Sequence, residues 1–257
     1  MGLKSWKLFR NTGKAIGKAS VSAALPLLFI VSVNAAVASD EPILFIGDSH
    51  VYGSFGDHLD QSLRTLAGAQ VNSIGSCGSD PNWWFSGKAT GCGYFRRSPA
   101  GATTRVDSHA TPLFPDLMKT GVPKIVVIEH GTNFQGYSLE YVRKGTRKMI
   151  AEIRQTRPIC IWAGAPTMRK LPADTIYDPI YKAMSEEIGD LCTFVDSRKV
   201  TSYPAHGGDG IHYDPLGEQG RKMTQAWADA VFSVLKKRIA GEALDPVADH
   251  LYVQPVR

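Results

Sequence analysis

The chain is expected to fold as an α/β protein, a three-layer α/β/α sandwich on a five-stranded parallel sheet. Three observations predict this. After Pro42, short apolar runs alternate with longer amphipathic ones, the pattern of a parallel sheet flanked by helices. The short runs are apolar at consecutive positions, as in Ile125-Val126-Val127-Ile128, which suits strands covered on both faces. A chain of 257 residues, 43% hydrophobic and 21% charged, is ordinary for one domain that buries its own core.

Taken in order, residues 43–47 form the first strand and residues 55–66 carry apolar side chains at helical spacing. The second strand is 70–75. Residues 76–115 break the alternation: they are rich in Gly, Ser, Thr and aromatics and show little period. A long loop without structure of its own inside a compact domain is usually functional. Strand 124–130, helix 139–156, strand 159–165, helix 176–188 and strand 193–196 follow, and a long helix over 216–239 closes the domain. The tail, 245–257, lies beyond it. No repeat, linker or low-complexity tract argues for a second domain.

Residues 1–38 read differently. Lys4, Lys7, Arg10, Lys14 and Lys18 precede an apolar stretch, residues 21–33, and then Ala36-Val37-Ala38. A basic region, a short apolar region and a small-x-small site describe a secretory signal peptide cut after Ala38, leaving 39–257 as the mature domain. The apolar stretch is shorter than the roughly 20 residues that span hydrocarbon and contains Pro26, so no stable membrane span is expected after cleavage. The five leader bases account for the whole excess of 29 Lys and Arg over 24 Asp and Glu. A neutral mature protein offers no field for nucleic acid. The expected location is periplasmic or extracellular, where Cys77, Cys92, Cys160 and Cys192 meet an oxidising environment. Cys77 with Cys92 is the favoured pair, since the two bracket one loop. Cys160 and Cys192 each open an apolar run and are either paired or free apolar residues.

In open parallel sheets, ligands bind outside the carboxyl ends of the strands. The first strand ends in Gly47-Asp48-Ser49-His50, which puts a serine where a helix begins. Such a serine is a helix cap or a nucleophile beside N–H groups that stabilise an anion. Asp209-Gly210-Ile211-His212 lies between the last strand and the last helix, and an aspartate three residues before a histidine can orient its imidazole as a base. The same pair is also half of a metal site. Two more strand ends carry neutral donors: Gly75 after the second strand, and Asn133 in His130-Gly131-Thr132-Asn133 after the third. Donors of this kind hold the oxyanion of acyl transfer.

Four pieces in this order resemble the SGNH or GDSL hydrolase family, over roughly residues 42–239. The resemblance implies Ser49 as nucleophile, His212 as general base and Asp209 as its orienting acid. Ser49, Gly75 and Asn133 would form the oxyanion hole, and the parallel strands would follow the flavodoxin-like order 2-1-3-4-5. It implies ester hydrolysis with no cofactor and no metal. Two departures leave these groups in place: His50 stands where the family name has leucine, and Phe134 follows Asn133 where aspartate is frequent.

Substrate choice is carried by loops. Trp83, Trp84, Tyr94 and Tyr137, with His130 beside the third block, are candidates to contact a sugar ring; the alternative for each is a small core beneath the 77–92 loop. Arg96, Arg97 and Arg105 either meet an anionic substrate or are solvated. Export, and the lack of a broad apolar cap sequence, point to an O-acetylated glycan of the cell envelope or an extracellular polysaccharide, peptidoglycan included. Lysophospholipase, thioesterase, arylesterase and O-acetyltransferase activities are the enzymatic alternatives. A glycan-binding module with the same fold is the alternative without catalysis.

Overall fold

The computed structural model describes residues 41–171 and 173–244, with the backbone of 252–253; the expected leader lies outside the described residues. In chain order the elements are β1 (Pro42–Gly47), α1 (Ser49–Tyr52), α2 (Ser54–Arg64), β2 (Gln70–Ser76), α3 (Trp83–Ser86), β3 (Ala89–Thr90), β4 (Tyr94–Arg97), β5 (Thr103–Val106) and β6 (His109–Ala110). They continue with α4 (Phe114–Lys119), β7 (Ile125–Glu129), α5 (Leu139–Thr156), β8 (Ile159–Ala163), α6 (Asp178–Ile188), β9 (Thr193–Val195), α7 (Glu218–Ile239) and β10 (Tyr252–Val253). Short 3-10 turns cover Thr132–Phe134 and Asp214–Leu216, and a π turn, Ala173–Tyr177, precedes α6.

The main sheet runs β10-β9-β8-β7-β1-β2-β4-β5. Its five central strands are the five read from sequence, all parallel, and their order, 2-1-3-4-5 among themselves, is the flavodoxin-like one. Among the described residues this sheet has eight strands where five were expected. β4 and β5 extend the β2 edge antiparallel, and β10 covers β9 antiparallel. The added strands escape a periodic reading because they are two to four residues long and β5 is exposed throughout. Residues 76–115 are therefore not a structureless loop: they hold α3, the β4–β5 hairpin and the two-stranded β3–β6 ribbon.

Because side chains alternate across a strand, each central strand feeds two cores. Leu44, Ile46, Val126, Ile128 and Trp162 point to one face and meet Val142, Met149 and Ile153 of α5 and Ile180 and Met184 of α6. Ile43, Phe45, Val127 and Ile161 point to the other and meet Phe55, Leu59 and Leu63 of α2 and Trp227, Val231 and Leu235 of α7. That double burial is the physical origin of the unbroken apolar runs. Both cysteine pairs form disulfides: Cys77–Cys92 closes the loop after β2, and Cys160–Cys192 ties β8 to the approach of β9.

A buried acid fastens the hairpin edge. Asp60 of α2 is fully buried and accepts from Arg64 Nε at 3.0 Å, Arg97 Nη1 at 2.5 Å and Ser73 Oγ at 2.6 Å. It thereby joins α2, β2 and β4 in one cluster.

Candidate active site

β1 delivers Asp48 and Ser49 to the carboxyl edge of the sheet. Asp48 caps the single turn α1, its Oδ1 accepting from His50 N at 2.9 Å. As the first residue of that turn, Ser49 has an N–H with no helical acceptor four residues back. Its Oγ lies 2.9 Å from His212 Nε2, and His212 Nδ1 lies 2.6 Å from Asp209 Oδ2. Residues 163 positions apart in sequence thus form one hydrogen-bonded chain. Both imidazole nitrogens of His212 are engaged by protein partners.

The segment carrying the acid and the histidine is held by its own backbone. Asp209 Oδ1 accepts from Ile211 N at 2.8 Å and His212 N at 2.7 Å. Tyr203 Oη accepts from Gly210 N at 2.9 Å and donates to His212 O at 3.0 Å. Burial pushes the Asp209 carboxyl up, but the hydrogen bonds from His212 and the two N–H groups outweigh it and hold it at about 2. Asp209 therefore stays ionised beside the imidazole. His50 packs its ring 5.5 Å from that of His212 and 5.5 Å from that of Trp227. Burial lowers its pKa to about 3, so a neutral ring underlies the histidine.

The expected oxyanion donors are placed less simply. Gly75 sits inside β2 between Gly47 of β1 and Phe95 of β4, so its N–H lies in the sheet rather than at its end. Its missing side chain serves α1: a Cβ there would stand 2.5 Å from Tyr52 N. Gly78, two residues beyond the strand, has φ +76° and is half-buried beside Cys92. It is the glycine past the strand's end, whereas the sequence reading named Gly75 alone. Asn133 does reach the nucleophile turn, but its Nδ2 donates to Asp48 Oδ2 at 3.1 Å and Ser79 O at 3.0 Å.

Three expected sugar contacts are corrected. Trp84, Tyr94 and His130 are buried in the interior. The Trp84 ring stands edge-on to His130 at 5.9 Å, and Tyr94 stacks on His109 at 4.1 Å. Aromatic content alone does not tell which ring faces inward. Trp83 remains half-buried with Lys88 Nζ 4.0 Å over its ring. Tyr137 remains at the surface, 47% exposed and stacked on Tyr141.

Ser49 and His212 open into a cavity of about 460 Å³ lined also by Tyr52, Asp57, Arg105 and Asp214 and by the Cys77–Cys92 disulfide. Arg105, read from sequence only as one of three loop arginines, donates to Tyr52 O at 2.6 Å and to Asp57 Oδ1 at 2.8 Å. Its guanidinium lies 5.1 Å from the Tyr52 ring and 4.4 Å from the Phe95 ring. Only the β4–β5 hairpin brings this residue to α1. Among the described residues, no group of three or more His, Cys, Asp and Glu is placed to hold a metal ion. No helix among them is long and apolar enough to cross a membrane.

No protein-family model matches the chain, and no curated protein matches it. Among solved structures it is similar to a DUF4886 family protein from Bacteroides uniformis ATCC 8492, at 11% identity and TM-score 0.46 over 82% of this chain and 90% of that one. It is similar to a structure titled as a peptidoglycan O-acetylesterase, at 12% identity and TM-score 0.48 over 80% of this chain and 93% of that one. A two-domain esterase active on acetylated mannans matches at 14% identity and TM-score 0.47, over 85% of this chain and 54% of that one. At these identities and TM-scores, the chemistry has to be read from the site itself.

Proposed function

We propose that the chain is a serine esterase of the SGNH kind, with residues 39–257 as an exported hydrolase domain. The observation that carries this is the Asp209–His212–Ser49 hydrogen-bonded chain at the end of β1, opening on a cavity. His212 Nε2 takes the Ser49 proton as Oγ attacks the ester carbonyl, and returns it to the leaving alcohol; water then releases the acid from the acyl-enzyme. The Ser49 and Gly78 N–H groups receive the oxyanion, joined by the Asn133 amide when it exchanges its bond to Ser79 O. Each such donor typically supplies about 2.7–4 kcal/mol of transition-state stabilisation.

For the substrate we propose an O-acetylated glycan. A cavity of about 460 Å³ walled by Tyr52, Asp57, Arg105 and Asp214 suits a sugar unit, with acceptors for hydroxyl groups and one ring to pack on. Trp83 and Tyr137 are the remaining aromatic candidates for the strand beyond it. Two disulfides support export to an oxidising compartment.

Ser49→Ala should abolish both p-nitrophenyl acetate turnover and labelling by a fluorophosphonate, with thermal stability retained. Labelling that survives the substitution sinks the nucleophile assignment. Acetate release from O-acetylated glycans should exceed hydrolysis of long-chain esters, and the reverse preference overturns the substrate class.

A further inference from the structure

We infer that Asp48 and Glu129 share one buried proton, carried by Glu129, and that this acid pair is the positioning device for the nucleophile turn and Asn133. Its kinetic consequence rests on the esterase reading; the shared proton does not.

The two residues end neighbouring strands, β1 and β7, with Gly47 in register with Glu129. Both are fully buried. Asp48 uses one carboxyl oxygen for His50 N and the other for the Asn133 amide. Glu129 is opposite in character: neither of its oxygens has a partner in hydrogen-bond geometry among the described residues, and besides burial the influences on it come from Asp48, whose carboxyl raises it and whose backbone N–H lowers it by less. Two adjacent buried carboxyls cannot both ionise. The proton belongs on Glu129, because two donors in hydrogen-bond geometry stabilise charge on Asp48, whereas the Asp48 N–H that favours charge on Glu129 is its weakest influence and does not reach that geometry.

The surroundings are consistent with that division. A proton on the His212 imidazole, as it holds during turnover, favours charge on Asp48. His50 of α1 is kept neutral by burial. From the other side Tyr177 and Tyr181 face the pair, and burial pushes both hydroxyls up, so they add no charge. Tyr177 donates to Met168 Sδ and Tyr181 to Ala165 O, which leaves Glu129 to Asp48. Burial pushes Asp48 up to about 6 and Glu129 well above the usual carboxylate range.

A proton on Glu129 makes its carboxyl a donor, so Asp48 gathers three hydrogen bonds: His50 N, Asn133 Nδ2 and Glu129. Losing it places two negative charges side by side and drives Asp48 off the turn that presents Ser49. Because the Glu129 value is raised on folding, its contribution to stability is complete below the ordinary carboxylate value and is lost as pH rises through the raised one.

Three measurements test this. In Ser49→Ala protein at neutral pH, infrared difference spectra should show a protonated-carboxyl C=O band, absent when Glu129→Gln is added. Thermal midpoints from about pH 5 to pH 9 should fall further in the wild type than in Glu129→Gln, so the gap moves toward the variant as pH rises. In kinetics, Glu129→Leu should lower kcat about 100-fold with KM little changed. Glu129→Gln, which keeps an N–H donor to Asp48, should recover most of that loss and shift the alkaline fall of kcat upward. Missing band and parallel stability curves overturn the inference, whether or not the protein hydrolyses esters. Absence of Ser49 labelling with the band present overturns only the esterase reading.

Discussion

At the scale of single residues, Asp209 is the most informative position. It holds His212 through Nδ1 and its own loop through two N–H groups. Asp209→Asn should turn an N–H toward His212 Nδ1, favouring the tautomer that cannot accept the Ser49 proton. The expected loss in kcat on p-nitrophenyl acetate is about 10³–10⁴-fold, with the fold intact by circular dichroism. A loss under tenfold would reduce Asp209 to a loop anchor. The acid-side sign follows from its depressed value: whatever Asp209 contributes to stability is present above the ordinary aspartate value of 3.8 and lost as pH falls through about 2. The Asp209–His212–Ser49 hydrogen-bonded chain was legible in sequence because each member sits at a strand end or in a short local motif. Which glycine lies past the sheet was not, because Gly75 and Gly78 differ by three residues at the point where the strand stops.

At the scale of elements, the β4–β5 hairpin is what the site depends on and what the sequence least revealed. Its edge is fastened by Asp60, where Arg64 and Arg97 converge on a fully buried carboxylate. Asp60→Ala leaves two guanidinium groups facing each other without their acid. The expected cost is about 3 kcal/mol, the lower end for breaking a buried pair because both arginines remain about one-quarter exposed. Denaturant midpoints check it. Catalysis should weaken with stability here, since Arg105 reaches the Tyr52 carbonyl and Asp57 from the same hairpin. An unchanged KM for a glycan substrate in the folded variant would separate the hairpin from substrate binding.

At the scale of the whole molecule, two covalent links support a sheet whose outer strands are short. Cys77–Cys92 closes a loop with a sequence separation of 15 against the cavity at Ser49 and His212. Replacing both cysteines by serine is expected to cost about 3 kcal/mol through the freedom regained by the unfolded chain. It should also lower kcat/KM, because Gly78 and the cavity wall lose their tether. Thermal unfolding and p-nitrophenyl acetate kinetics read the two effects separately. A variant with unchanged midpoint and kinetics would make this disulfide ornamental to the site.

The five central strands, the layers on either side and the residues that meet at Ser49 were all readable from the amino-acid order. A strand buried on both faces must be apolar at successive positions, and chemistry at the sheet's carboxyl edge must follow such a run directly. Those are local signals. Which glycine lies past the sheet, which aromatic rings turn inward and which arginine reaches the cavity were decided only by tertiary structure. Trp84 and Tyr94 are as suited to a sugar as to a core until α3, α4 and the hairpin close over them. The acid pair of Asp48 and Glu129 is the same case, since two carboxyls 81 residues apart become one buried group only when β1 and β7 lie side by side.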